Sequence, residues 1–228
     1  MFFKLLFLIL LTAKKSRAFE RVFSIYNRNL FWRRFAALEI GGIENLIERD
    51  KSLPLVLYAN HSSWWDGLVA FEIGRRAKLD QFVMMEEKQL RQLFLFRLLG
   101  AFGVERENQR AAAQTVRYAV KTLNAAPNRA LWIFPQGAIA PNERRPLEFF
   151  DGAAHIVKKT GKCCAAPVAM RYEFLNDYKP HAFARVGESE LIENAADVAA
   201  LTAHFAVKLT DLLDRLKREI AAHDQGNR

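Results

Sequence analysis

From residue 53 onward, apolar and polar positions alternate between two periods. "LPLVLYA" (53–59) is a short apolar run bounded by a turn signal, as expected of a buried strand. Residues 63–76 then read as a helix. "QFVMM" (81–85) predicts a second strand, and 86–99 a helix with Leu90, Leu93 and Phe94 on one face, ended by Gly100 and Gly103. "AFGVE" (101–105) predicts a short strand, and Ala112, Val116, Ala119, Val120 and Leu123 recur at helical spacing across 108–125. "RALWIF" (129–134) predicts another strand, followed by a loop rich in Pro, Gly and Arg from Pro135 to Phe150. Asp151 caps an expected helix that ends at Gly161. "CCAAPVAM" (163–170) and "HAFARVG" (181–187) predict strands. Residues 195–222 predict a last helix whose stripe of Phe205, Leu209, Leu212, Leu216 and Ile220 serves core packing.

Strands alternating with helices predict a single α/β domain with a mixed, mostly parallel sheet flanked by helices. The expected boundaries are an N-terminal segment 1–37, an α/β core 38–190 and a C-terminal amphipathic helix 191–228 packed on that core. In such sheets function gathers in loops beyond strand ends, which singles out 60–66, 106–110 and 135–146.

Charge alters the picture at one end. Residues 1–35 hold Lys4, Lys14, Lys15, Arg17, Arg21, Arg28, Arg33 and Arg34 against the single acid Glu20, so +7 of the chain's +9 lies there. The apolar part of "MFFKLLFLILLTAKKSRAF" is about a dozen residues, whereas a spanning helix needs roughly 20. A signal peptide would carry its small-residue cleavage site where "KKSR" stands. The expectation is an amphipathic helix in the membrane interface, with Phe2, Phe3, Leu5, Leu6, Phe7, Leu8, Ile9 and Leu11 in lipid and the basic groups on anionic head groups. Each basic group near such a surface contributes on the order of 1 kcal/mol. This implies a peripheral or monotopic protein on the cytoplasmic face of a membrane; the alternative is a helix buried in the protein's own core. Nucleic acid is not an expected partner, because the charge adjoins an apolar block rather than a nucleic-acid-binding motif.

Two adjacent cysteines, Cys163 and Cys164, with no other partner argue for a reducing compartment. No Cys or His pair has ligand spacing, so no metal is expected.

The loop "NHSSWWD" (60–66) carries the most chemistry. Ser63 and Asp66 form a capping-box-like pair at a helix start, which turns Asp66 back toward His61. Asp66 can then accept from His61 Nδ1–H and leave Nε2 as a base. A base held by an acid is the arrangement that activates a hydroxyl. On residues alone a second reading stands beside it: Asp66 only caps the helix, and His61 is a strand-end histidine.

"NHSSWWD" resembles the N-H-x4-D signature of the glycerolipid acyltransferases, which include the 1-acylglycerol-3-phosphate acyltransferases. "GVERENQR" (103–110) is similar to the family's second motif and puts Arg106 at its arginine. "FPQGAIAP" (134–141) resembles the third, normally F-P-E-G-T-R-S, and "AAPVAM" (165–170) the fourth, with Pro167 at its proline. The resemblance spans residues 38–190 and implies a glycerol-3-phosphate acyltransferase-like fold. It also implies an enzyme of phospholipid biosynthesis that moves a fatty acyl group from acyl-CoA or acyl carrier protein to a lysophospholipid hydroxyl, without a cofactor. His61 would be the base and Asp66 its orienting partner. Asn60, Ser63, Arg106, Phe134, Pro135, Gln136, Gly137 and Pro167 would contact substrate.

The third motif departs from the family pattern. Gln136 stands for the glutamate, and Ala138 and Ile139 for Thr-Arg. Losing that arginine removes a bidentate phosphate clamp. Arg144 and Arg145 are candidates to compensate, or belong to a solvated loop; Arg106 contacts phosphate or makes a surface ion pair. The departure tilts the acceptor away from 1-acylglycerol-3-phosphate and toward another lysolipid, a glycosylated lipid or a carotenoid. Trp64 and Trp65 suit either a lipid-facing mouth or the core, and Phe94, Phe96, Phe149 and Phe150 either an acyl groove or the core. A non-catalytic lipid-binding relative is the competing reading. No G-x-S-x-G elbow is present, which argues against a serine hydrolase.

Overall fold

The structure, a computed structural model, describes residues 10–226 except residue 196. The expected lipid-inserting residues Phe2 to Ile9 lie outside the described residues.

The chain alternates strands and helices as the periodicity predicts. β1 (Leu38–Gly41), β2 (Leu55–Ala59), β3 (Asp80–Glu86), β4 (Ala101–Val104), β5 (Arg129–Ile133), β6 (Cys163–Glu173), β7 (His181–Val186) and β8 (Glu190–Ile192) form one sheet. Its order is β1-β7-β6-β2-β5-β3-β4, with β8 also paired to β6. Only the β6–β7 and β6–β8 pairings are antiparallel. The helices are α1 (Arg17–Arg34), α2 (Glu44–Ile47), α3 (Asp66–Arg76), α4 (Glu87–Gln92), α5 (Gln109–Asn124), α6 (Gly152–Thr160) and α7 (Val198–Gly226). This is the expected α/β domain with a mixed, mostly parallel sheet.

Period-2 alternation along β2 divides the core. Leu55, Leu57 and Ala59 face a layer containing Phe23 and Phe31 of α1 and Leu68, Val69 and Ile73 of α3. Val56 and Tyr58 face a layer containing Ala119 and Leu123 of α5, Ile156 and Val157 of α6, and Phe205, Leu209 and Leu213 of α7. Tyr58 stacks on Phe205 at 4.3 Å between ring centroids. Both layers remove β-branched and aromatic side chains from water, at about 25 cal/mol per Å² of apolar area. Pro167 falls where the antiparallel edge of β6 passes from β8 (Cys163–Ala165) to β7 (Val168–Glu173), so its missing N–H interrupts neither pairing.

Several expectations are corrected. The helix expected across 86–99 is two pieces: α4, then a 3-10 turn, Phe94–Leu99. The backbone leaves the helix at Leu93 (φ −109°, ψ 43°), so Leu93 and Phe94 lie exposed while Leu90 alone of that face is buried. Gly100 ends the piece at φ +101°, a conformation that favours glycine. In α7, Leu213 rather than Leu212 completes the buried stripe. The boundary at 190/191 cuts through β8, which pairs with β6. The pairs β1–β7 and β6–β8 escaped the periodicity because strands of three and four residues carry too few alternations to read.

The described part of the N-terminal segment is docked on the core. Leu11 O accepts from Gly103 N–H at 2.8 Å, and Lys14 N–H and Ser16 N–H donate to the carbonyls of Arg97 and Leu98. Leu11 therefore lies beside β4. Lys15, expected on head groups, pairs with Asp80 at 2.6 Å and Glu20 at 3.1 Å. Ser16 caps α1 by accepting from Phe19 N–H. Phe23 then packs edge-on against Phe71 at 4.9 Å. The opposite face of α1 leaves Val22, Ile25, Tyr26 and Trp32 exposed among Arg17, Arg21, Arg28, Arg33 and Arg34. Among the described residues no helix is long and apolar enough to cross a membrane. Cys163 and Cys164 are buried free thiols, and burial, with Cys164 adding to it, pushes Cys163 up to about 12.

Candidate active site

β2, β4 and β5 run parallel, so the loops after them emerge at one end of the sheet. There they surround a cavity of about 560 Å³. Its inner wall is apolar, including Phe71, Phe82, Leu99 and Trp132; its mouth includes His61, Trp64, Arg106, Phe134 and Ile139.

His61 follows β2 and lies just ahead of α3. The helix starts at Asp66, three residues later than expected, because residues 63–65 form a tight turn in which Asp66 N–H donates to Ser63 O. Ser63 Oγ accepts from Trp65 N–H at 3.2 Å. The capping box is thus half formed: Asp66 Oδ2 accepts from the N–H of Ser63 (2.9 Å) and of Ser62 (2.7 Å). The same oxygen lies 2.8 Å from His61 Nδ1. Asp66 Oδ1 accepts from the Tyr172 hydroxyl at 2.6 Å.

This pattern assigns the tautomer. Asp66 is fully buried and accepts from the Ser62 and Ser63 N–H groups and the Tyr172 hydroxyl, so His61 Nδ1 carries a proton toward it; of the two tautomers of a neutral ring, this is the one that leaves Nε2 as the acceptor. The ring keeps about a quarter of its surface accessible and lines the cavity, with Phe134 packed against it at 4.7 Å. A base oriented by a buried acid at a cavity wall can take a proton from a bound hydroxyl.

Tyr172 is the residue sequence reading missed. β6 outruns β2: Ala59, the last residue of β2, pairs with Val168, and four residues on, Tyr172 reaches alongside the 60–66 loop. Burial, and then the adjacent Asp66 carboxylate, hold its phenol well above the ordinary value, so it is a committed donor. The only signal in the sequence was its even register with Val168 and Met170, which face the α3 layer.

The third loop grips His61 through the backbone. Gln136 Oε1 accepts from His61 N–H at 2.7 Å, and His61 O accepts from Ala140 N–H at 2.8 Å. Gln136 is therefore a brace for His61 rather than part of the cavity wall. Gly137 has φ +69°, a conformation that favours glycine, and a Cβ there would make the Arg106 guanidinium shift. Arg106 lies over the Phe150 ring at 4.9 Å and lines the cavity, as do Phe134, Pro135 and Gly137.

Other expected contacts are framework. Asn60 is buried; its amide closes a pair of hydrogen bonds with Met170 N–H and O and donates to Asn142. Ser63 is spent on the turn, and Pro167 is buried within β6. Arg144 pairs with Glu148 and Arg145 with Asp214, and neither reaches the cavity, so they do not replace the missing arginine. Trp64 stands exposed at the mouth, whereas Trp65 packs on Phe31 and Phe35. Of the four phenylalanines weighed between an acyl groove and the core, Phe96 and Phe150 line the cavity; Phe94 and Phe149 do not.

A family model described as Acyltransferase matches residues 37–171 of the chain. No curated protein matches. Among solved structures, the fold is similar to the crystal structure of the 1-acyl-sn-glycerophosphate (LPA) acyltransferase, PlsC, from Thermotoga maritima, with a TM-score of 0.63. That match covers 87% of this chain and 79% of that chain at 16% identity, a likeness of fold.

Proposed function

Because the chain belongs to the acyltransferase family, matched over residues 37–171, we propose that it transfers a fatty acyl group from the thioester of acyl-CoA or acyl carrier protein to a hydroxyl of a lysophospholipid or related lipid. The observation that carries this reading is His61, whose Nδ1 is held by buried Asp66 while its ring lines an apolar cavity. Nε2 takes the proton of the acceptor hydroxyl as its oxygen attacks the thioester carbonyl. The tetrahedral adduct collapses, the C–S bond breaks, and the thiolate leaves and takes up the proton from the imidazolium. The imidazolium formed midway is stabilised by Asp66. The apolar inner wall takes the acyl chain, and no metal or cofactor enters the reaction.

Labelled acyl-CoA or acyl carrier protein, offered with lysolipids to the detergent-purified protein, tests this. His61→Ala should lower transfer about 10²- to 10⁴-fold, the usual worth of a positioned general base. Equal transfer by the variant would remove His61 from the role.

Attachment to the cytoplasmic face of a membrane is part of the same proposal. The outer face of α1 supports it, with Trp32 75% and Val22 65% exposed between arginines. Sedimentation with anionic vesicles should weaken with salt and with Trp32→Ala. Binding indifferent to both would mean that α1 is not the contact.

A further inference from the structure

The walls of the cavity hold few charges. Among the described residues they are His61, Arg106, Glu86 and Asp151. With His61 assigned to the proton, one cation and two carboxylates remain at the cavity's exposed rim, Asp151 also lying 3.4 Å from His155 Nε2. Arg106 lies over the Phe150 ring, 4.9 Å from its centroid, and its guanidinium can hold one anionic group. Ala138 and Ile139 share this wall, and Ile139 is 54% exposed without any polar atom in its side chain. Arg144 and Arg145 are engaged by Glu148 and Asp214 away from the cavity.

This set suits some head groups and not others. A phosphate monoester carries about −1.5 to −2 charges at neutral pH. Against one arginine it would keep uncompensated charge beside two carboxylates of the same sign. A phosphodiester carries a single charge, which one arginine matches. An uncharged head group requires none, and the carboxylates can accept from its hydroxyls or face the cation of a zwitterion.

Resting on the acyltransferase reading above, we propose that the acceptor is a lipid hydroxyl whose head group carries at most one negative charge: a phosphodiester-linked or uncharged lipid, not a phosphate monoester.

The test compares kcat/KM of the full-length protein in detergent for four acceptors of equal chain length. These are 1-acylglycerol-3-phosphate, lysophosphatidylcholine, lysophosphatidylglycerol and monoacylglycerol, with one acyl-CoA as donor. The monoester should fall about tenfold or more below the best of the other three, the scale of one unmatched charge-assisted hydrogen bond. Ile139→Arg, at an exposed position that packs no core, should raise the ratio of monoester to best acceptor several-fold. The monoester as the best wild-type acceptor would overturn the inference and leave the acyltransferase reading intact. A ratio unmoved in a folded Ile139→Arg would overturn its charge argument. Transfer to none of the four would overturn the lysolipid reading and this inference with it.

Discussion

The two sides of the cavity mouth are built to different standards. On the His61 side, the ring and its backbone are over-determined. Asp66 gathers four donors, and the His61 backbone is tied at N–H and at C=O to the loop across from it. On the Arg106 side, one guanidinium rests on one ring, and the next residues along the wall are Ala138 and Ile139. The contrast fits a protein in which the position of the proton-accepting nitrogen is constrained tightly and the head group loosely. Moving a base by about 1 Å costs on the order of 10² in rate, whereas a head group can be held by several weak contacts.

The largest effect that would break this comparison is expected from Asp66→Asn. The shape is preserved, but an amide cannot accept on both sides. Its N–H₂ must stand either where one oxygen now meets His61 Nδ1 and the Ser62 and Ser63 N–H groups together, or where the other meets the Tyr172 hydroxyl. Facing His61, it would draw the proton to Nε2 and leave no base at the cavity. In hydrolase triads the corresponding change costs about 10⁴ in kcat. A fall of that order is expected here, together with a stability loss of about 1–3 kcal/mol for the buried donors left facing one another. Single-turnover acyl transfer and urea unfolding measure the two separately. Transfer within a few-fold of wild type would mean that Asp66 is only a cap.

How much of this was legible follows from distance along the chain. His61, Asp66 and the helix after them lie within one turn, so spacing and capping chemistry were enough to bring them together. The start of α3 was misplaced because Ser63 spends its hydroxyl on Trp65 N–H, a choice between two local bonds that spacing does not decide. Asn60 and Gln136 were recognisable as residues of the site but not as braces, since their partners Met170 and His61 come near only when β6 and β5 flank β2. Tyr172 was out of reach altogether: its contact with Asp66 spans 106 residues and depends on β6 outlasting β2. On the other side of the mouth, the sequence raised Arg144 and Arg145 as substitutes for a lost arginine, and only Glu148 and Asp214 reveal that they are occupied.

Tyr172→Phe sharpens the comparison with a smaller effect. Tyr172 touches no substrate in this scheme; it is a positioning residue that fixes the carboxylate that fixes the imidazole. Removing its hydroxyl should lower kcat about tenfold, the worth of one hydrogen bond to a charged group, and leave KM for the acceptor unchanged. A rise in KM with kcat intact would instead place Tyr172 in substrate binding. The pH dependence of stability gives an independent reading. Burial and Asp66 raise the phenol above its unfolded value of about 10, so its contribution is complete below pH 10 and is lost as pH climbs toward the folded value, where only the unfolded chain has ionised. Tyr58 is raised in the same direction, by burial and by Glu190, and adds to the same alkaline loss. Wild type should therefore weaken steadily above about pH 10, and Tyr172→Phe less steeply, since one of the two phenols is gone while Tyr58 remains. If urea midpoints of the two proteins fall in parallel from pH 9 to 11, about one unit either side of the unfolded value, the Asp66–Tyr172 bond carries no such linkage and the brace is looser than its 2.6 Å implies.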